Sequence, residues 1–187
     1  MIIAETERLV IRNWQDRDRE LFHEINADPA VMEFFGFTRD RQQSDELLDR
    51  LRRNIDETGY GFYALEERAT GACIGFAGLA LTDLEPYFRN GTVEIGWRLA
   101  KRHWGKGYVT EAGRRLLSLG FDERGLDEIV SFAVFNNHRS TAVMERLGMK
   151  REPARDFDHP KVSDATPHLK LHVVYSIKRQ DWTGIRE

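Results

Sequence analysis

The sequence predicts a mixed α/β fold that begins with antiparallel strands and contains one parallel strand–helix–strand unit. Three observations carry this reading. FYALEE and ACIGFAGLAL flank the turn residues ATG as a hairpin, VEIGWRLA alternates like a strand before a helical run, and IVSFAVF follows that helix as a buried-type strand. A strand, helix and strand in that order place the two strands parallel with a right-handed crossover.

Taken in order, RLVIRNW alternates as a strand, and Asp16 then precedes LFHEI, whose Leu21, Phe22 and Ile25 share one helical face. Pro29 ends that helix. Ser44 reads as the N-cap of a helix carrying Leu47, Leu48, Leu51 and Ile55, so two short helices precede the sheet. Gly59 and Gly61 punctuate the chain before the hairpin, and TDLEPYFRNG after it is a loop. A strand starts at Val93, and Val109, Ala112, Leu116 and Leu119 then recur at helical spacing up to Phe121. Ile129 to Phe135 is the buried strand, NNHRSTAVMERLGM is a helix closed by Gly148, and the remainder reads as a final strand pair joined by a long loop.

The bulk properties bound the function. A chain of 187 residues with 41% hydrophobic content suits one domain, residues 1–187, around one core. Its net charge of −3 gives no global basic field, so nucleic acid is not expected as a partner and any anion site is local. Cys73 is the lone cysteine and cannot form an internal disulfide. No apolar run approaches the ~20 residues that span a bilayer, and MIIAETERLV lacks a secretory signal's apolar run. The expected setting is the cytoplasm, without a membrane partner.

The stretch RHWGKGYVTEA, from Arg102 to Ala112, places two glycines among basic residues. A nucleoside-triphosphate loop needs a glycine where Ala100 stands and a hydroxyl residue where Gly107 stands. A dinucleotide fingerprint needs a small residue where Thr110 stands, and Thr110 would crowd the helix–strand contact. What survives is a strand-to-helix turn whose N–H groups face an anion such as a pyrophosphate, with the glycines admitting it and the helix N-terminus adding positive potential.

Arg102-His-Trp-Gly105-Lys-Gly107 resembles the [Q/R]-x-x-G-x-[G/A] signature of the GNAT superfamily of acetyl-coenzyme A-dependent N-acetyltransferases. TERLVIR, DPAVM, VEIGWRL, Asn137-x-x-Ser140 with ERLGM, and the terminal HVVYSI resemble its RimJ/RimL-like branch, so the likeness covers nearly the whole chain. The resemblance implies a twisted, mostly antiparallel sheet of about seven strands with about four helices. Its central parallel pair, Val93 to Leu99 and Ile129 to Phe135, splays to hold coenzyme A. The pantetheine arm would bond to Trp97, Arg98 and Leu99 as an added strand. The pyrophosphate would rest on the N–H groups of Arg102, His103, Trp104, Gly105, Lys106, Gly107 and Tyr108, with Asn137 and Ser140 beside the pantetheine or ribose. Arg139 is either a phosphate contact or a solvated rim arginine.

The implied co-substrate is acetyl-coenzyme A, and the acceptor is a small-molecule amine or a peptide or protein N-terminus. The neutral amine attacks the thioester directly, which calls for a base, an oxyanion donor and, in some enzymes, an acid. Glu94 stands where many members place the base; a solvent-facing glutamate is the alternative. Met144 stands where many members carry an acidic tyrosine, which leaves Ser140 as the candidate partner of the leaving sulfur. An α-amine with pKa about 8 is partly neutral at pH 7 and needs less help from a base than a lysine amine. The missing tyrosine keeps a second reading open: a non-catalytic sensor of acyl-coenzyme A. Of Met32, Phe34, Phe35 and Phe37, the candidates for an acceptor wall are Phe34 and Phe35, with core packing as the alternative. Tyr87 and Phe88 are open to the same two readings. His159, His168 and His172 lack metal-ligand spacing, so no metal is expected. Cys73 reads as a small buried hydrophobe, and the chain is expected to be a monomer or homodimer.

Overall fold

The computed structural model describes residues 1–184. The chain opens with an antiparallel pair, β1 (Ile2–Glu5) and β2 (Leu9–Arg12). The sequence reading found only β2, because β1 buries a single side chain, Ala4, and so carries almost no alternation. Arg12 at the end of β2 is buried. Its guanidinium donates to both Asp18 oxygens at 2.7 and 2.9 Å and to Glu66 Oε2 at 2.7 Å. A buried charge needs such partners, and the pair fixes how the following helix, α1 (Arg19–Ala27), leaves the sheet.

The second helix, α2 (Arg41–Thr58), begins earlier than a Ser44 cap predicts. Asp40 Oδ1 accepts from the Gln43 N–H at 2.8 Å, and the Gln43 side chain accepts from the Asp40 N–H at 3.1 Å. This reciprocal capping box satisfies two orphan donors, whereas Ser44 is buried and donates to the Asp40 carbonyl. Both helices lie between β2 and the next strand, β3 (Gly61–Glu67), rather than ahead of the sheet.

Antiparallel pairing continues through β3, β4 (Ala72–Leu81) and β5 (Val93–Leu99). The helix α3 (Tyr108–Ser118) then crosses to β6 (Glu128–Val134), which runs parallel to β5 as the strand–helix–strand order requires. After α4 (His138–Arg146) come two-residue strands β7 (Lys150–Arg151) and β8 (Phe157–Asp158), and finally β9 (Leu171–Lys178). β9 pairs antiparallel with β6 on one edge and with β7 and β8 on the other. Seven strands of four residues or more therefore form the sheet, with four α-helices, as the fold class implied.

One relationship positions the site. β4 and β5 pair from Gly75↔Leu99 to Leu81↔Val93 without a break, but β5 and β6 meet only at Glu94↔Val130. Beyond that point the two central strands diverge. The main core packs helices against the sheet, and a smaller cluster of Leu84, Phe88, Val130, Phe157 and Val174 closes the sheet beside β6 and β9. No helix among the described residues is long and apolar enough to cross a membrane.

Candidate active site

From Glu94 onward the separation of β5 and β6 opens a cavity of about 1730 Å³. Strand alternation sorts its walls. Glu94, Gly96 and Arg98 point to one face, where Phe62 and Phe76 of the neighbouring strands lie; Ile95, Trp97 and Leu99 point to the other. Alternation also sorts main-chain groups. The Ser131 hydroxyl donates to the Ile95 carbonyl at 2.9 Å and the Trp104 indole to the Leu99 carbonyl at 2.9 Å, so the odd-numbered residues turn their backbone to the open edge. Because Ile95 and Leu99 already accept there, the Trp97 main chain and the Leu99 N–H are left for a ligand. The main chain of Arg98 is out of phase and faces β4. The expected main-chain contacts of Trp97, Arg98 and Leu99 narrow accordingly, and Arg98 enters the site through its side chain.

At the end of β5 a short 3₁₀ turn, Lys101–His103, precedes the glycine loop. The N–H groups of His103 and Trp104 are consumed inside it, bonding to the carbonyls of Ala100 and Lys101. The N–H groups of Gly105, Lys106 and Gly107 have no acceptor among the described residues, and those of the first turn of α3 are free by helix geometry. Gly105 and Gly107 hold φ of 72° and 80°, a region closed to most L-residues, and this turns successive N–H groups toward one concavity. The loop is clamped from below. Arg8 donates to Glu111 Oε2 at 2.6 Å and to the Lys106 carbonyl at 3.0 Å, and Glu111 also accepts from the Arg8 N–H at 2.9 Å. His103, Trp104, Gly105, Gly107 and Tyr108 line the cavity; the Arg102 side chain instead pairs with Glu24, and Tyr108 bonds to Glu67.

Across the gap, Asn137 caps α4: its Oδ1 accepts from the Ser140 N–H at 3.2 Å, which leaves its amide nitrogen for other partners. Asn137 and Ser140 both line the cavity. Met144, where an acid would stand, is a buried core thioether whose edge reaches the same wall. Arg139 stacks on the Trp104 ring at 4.6 Å and pairs with Glu33 at 2.6 Å, tying α4 to the loop after α1.

At the fork itself the Glu94 carboxyl has no hydrogen-bond partner among the described side chains. Burial in the gap, reinforced by repulsion from Asp83 and partly offset by Lys161, pushes it up to about 7. A carboxyl so poised exchanges protons near neutrality, which is what a general base needs. His159 and His172 line the same cavity, their rings 4.8 Å apart. Burial, the second imidazole and Lys161 hold His159 down to about 4, and burial lowers His172, whose Nδ1 lies 2.8 Å from the Lys170 carbonyl. Both rings are therefore neutral at physiological pH. Phe34, Phe35 and Phe37 also line the cavity, with Phe35 42% exposed, while Met32 is buried in the core.

Residues 8–150 match the family described as the acetyltransferase (GNAT) domain, which is most of the chain and includes α3, the glycine loop and the β5–β6 fork. The chain belongs to the GNAT acetyltransferase family. It is 36% identical over 146 residues to the uncharacterized protein YkkB of Bacillus subtilis (strain 168), covering 77% of this chain and 83% of that one. It is 27% identical over 188 residues to the FsC-acetyl coenzyme A-N(2)-transacetylase of Aspergillus fumigatus, covering 97% and 78%. Among solved structures, a GNAT-family acetyltransferase from Bacillus anthracis superposes with a TM-score of 0.77 at 25% identity, covering 96% of this chain and 99% of that one.

In this acetyltransferase the structure brings Glu94, Trp97, the glycine loop, Asn137, Ser140, Phe34 and Phe35 to one cavity. It leaves the side chains of Arg102 and Lys106 off that cavity's wall. Phe88 is core, and Tyr87 stacks on Phe157 at 4.8 Å at the surface. Cys73 is partly exposed rather than fully buried, with its thiol donating weakly to the Gly75 carbonyl. The sequence reading passed over the side chains of Arg98 and Arg39, and it weighed His159 and His172 only as metal ligands. The alternation of β5 and β9 was the available signal, since it puts Arg98 on the Glu94 face and His172 on the face of Val174.

Proposed function

We propose that this chain, as one domain over residues 1–187, transfers the acetyl group of acetyl-coenzyme A to a primary amine by direct attack in a ternary complex. The observation that carries the reading is the unpartnered Glu94 carboxyl, raised to about 7, at the fork of a gap whose other end is a loop of free N–H groups. Those groups and the cavity fit the cofactor: N–H groups of Gly105, Lys106, Gly107 and Tyr108 hold the pyrophosphate, and the open backbone of Trp97 holds the pantetheine amides. Acetyl-coenzyme A supplies the activated acyl group. Glu94 takes the proton of the attacking amine, directly or through water, and the Trp97 N–H stabilises charge developing on the carbonyl oxygen. Asn137 and Ser140 lie across the gap, where the Ser140 hydroxyl bonds to the departing sulfur; a thiolate with reference pKa near ~8.5 leaves without a stronger acid.

Support for acetyl-coenzyme A comes also from the Aspergillus fumigatus relative, whose name specifies it. The RimJ/RimL-like motifs of the sequence leave the acceptor open between a protein N-terminal α-amine and a small-molecule amine. The test is release of coenzyme A thiol with three substrate sets: peptides beginning with Ser, Ala or Thr, free amino acids, and aminoglycosides. Turnover on at least one set supports transfer, and tight coenzyme A binding with no turnover on any amine would instead leave a sensor.

A further inference from the structure

Two arginines that line the cavity, one on β5 and one at the end of the loop after α1, have no acid to answer them among the described residues. Arg98 projects from β5 on the Glu94 face and is held between aromatic rings, its guanidinium carbon 4.0 Å from the Phe35 centroid and 5.2 Å from that of Phe76. Its Nη1 donates to Asn26 Oδ1, a neutral acceptor, at 2.8 Å. Its Nε is buried without a partner, and its Nη2 has no acceptor among the described residues. The second is Arg39, which closes the segment from Val31 to Arg39, lies over the Phe37 ring at 4.6 Å and lines the same cavity. Neither forms an ion pair among the described residues. Asp40, next to Arg39 in sequence, is taken up as the cap of α2, while Glu33 and Glu24 pair with Arg139 and Arg102. Burial lowers both guanidinium groups, helped at Arg98 by the charge of Arg39, which brings it to about 9, and at Arg39 by the charge of Arg50.

A desolvated cation without a counter-charge is costly, and the protein offsets it here only with ring faces and one amide. The free Nε–Nη2 edge of Arg98 is the planar fork that accepts a carboxylate through two parallel bonds. It lies on the same face of β5 as Glu94. Between them stands Gly96, which carries no side chain and lets the Phe62 ring pack against the strand, since an added Cβ would come within 2.9 Å of that ring. We infer that the amine acceptor also carries a carboxylate, bound by Arg98 with Arg39 beside it, while its amino group points along β5 toward Glu94, roughly 13 Å of strand away, a distance that a short peptide spans and that a free amino acid closes through water. The inference deepens the acetyl-transfer reading and rests on it for the role of the amine. It narrows the acceptor to amino acids or to peptides with an acidic residue near the N-terminus, and it disfavours polyamines and aminoglycosides, whose extra cations would meet Arg98 and Arg39.

The experiment compares matched acceptors: serine with ethanolamine, phenylalanine with phenethylamine, and the dipeptide amides Ser-Asp and Ser-Asn. Coenzyme A release is followed for the wild type, Arg98→Met, Arg98→Lys and Arg39→Met, each checked for an unchanged melting transition and coenzyme A affinity. The expected result is a preference of about ten-fold or more in kcat/KM for the carboxylated partner, chiefly through KM. Arg98→Met collapses that preference to within about two-fold, Arg98→Lys restores part of it, and Arg39→Met weakens it less. Preference in the first two pairs identifies free amino acids; preference only in the dipeptides identifies an acidic peptide. Equal rates within every pair, or an equal loss on both members in Arg98→Met, overturns the assignment. If no amine is turned over, acetyl transfer fails as a reading and calorimetry decides the anion site separately. Serine and Ser-Asp amide are then titrated into the coenzyme A-loaded protein: heat lost in Arg98→Met sustains the site, and no binding, or binding equal in both proteins, overturns it.

Discussion

Glu94 faces Val130 at the single point where β5 and β6 still pair, so its carboxyl stands where the two strands part. That position makes it the most desolvated acid of the cavity wall. Its proposed role as base and its energetic cost have one origin.

The first consequence is a pH profile. With the Glu94 carboxyl at about 7, kcat/KM should fall about ten-fold per pH unit below that value. Glu94→Gln should remove this acidic limb and lower the plateau by about 10² or more. Steady-state rates from pH 5.5 to 9 decide the matter, and a limb that persists in Glu94→Gln would assign the titration elsewhere.

The same shift carries a stability cost with a definite sign. A carboxyl raised from 4.5 to about 7 binds its proton more tightly in the folded state. Its contribution is therefore fully present below about 4.5 and is lost as pH rises through 7. Glu94→Gln should stabilise the protein by up to about 2 kcal/mol at pH 8.5 and by much less at pH 5. Thermal melts at the two pH values read the difference directly.

Gly107 holds φ of 80° at the N-cap of α3, beside the free N–H groups. Gly107→Val places a β-branched side chain in a conformation costing roughly 1–2 kcal/mol and on the approach path of a diphosphate. Coenzyme A affinity should fall at least about ten-fold by calorimetry, more than the loss of stability alone explains. Unchanged affinity would remove the loop from the cofactor site.

Ser131 reaches across the fork to the Ile95 carbonyl and is itself buried. Ser131→Ala leaves that carbonyl unpaired on the wall of the gap, a cost of about 1–3 kcal/mol. The melting temperature should drop, and the coenzyme A Kd should rise because the gap loses the bond that sets its width on the β5 side. A variant that melts lower yet binds coenzyme A equally would restrict Ser131 to a structural role.

Much of the architecture was legible because it rests on local rules. Alternation located β3 to β6, helical spacing located α3, and Asn137 with Gly148 bracketed α4 where the backbone needs a cap and a left-handed turn. The misses are also physical. β1 escaped because its pairing, not its side chains, makes it a strand, and α2 began at Asp40 because a capping box with Gln43 outcompeted the more central Ser44. In the glycine loop, residue types pointed to an anion, but which N–H groups remain free depended on a 3₁₀ turn that consumes those of His103 and Trp104.

By itself, the sequence determined the order of strands and helices, the glycine loop at the start of α3 and Glu94 on an alternating strand, since each is set by contacts within a few residues. Only the tertiary structure decided that β5 and β6 part at Glu94, that Arg98 and Arg39 line one cavity without an acidic partner among the described residues, and that two neutral imidazoles line it as well. Those facts depend on burial and on neighbours distant in sequence, whose desolvation and charge no local pattern records.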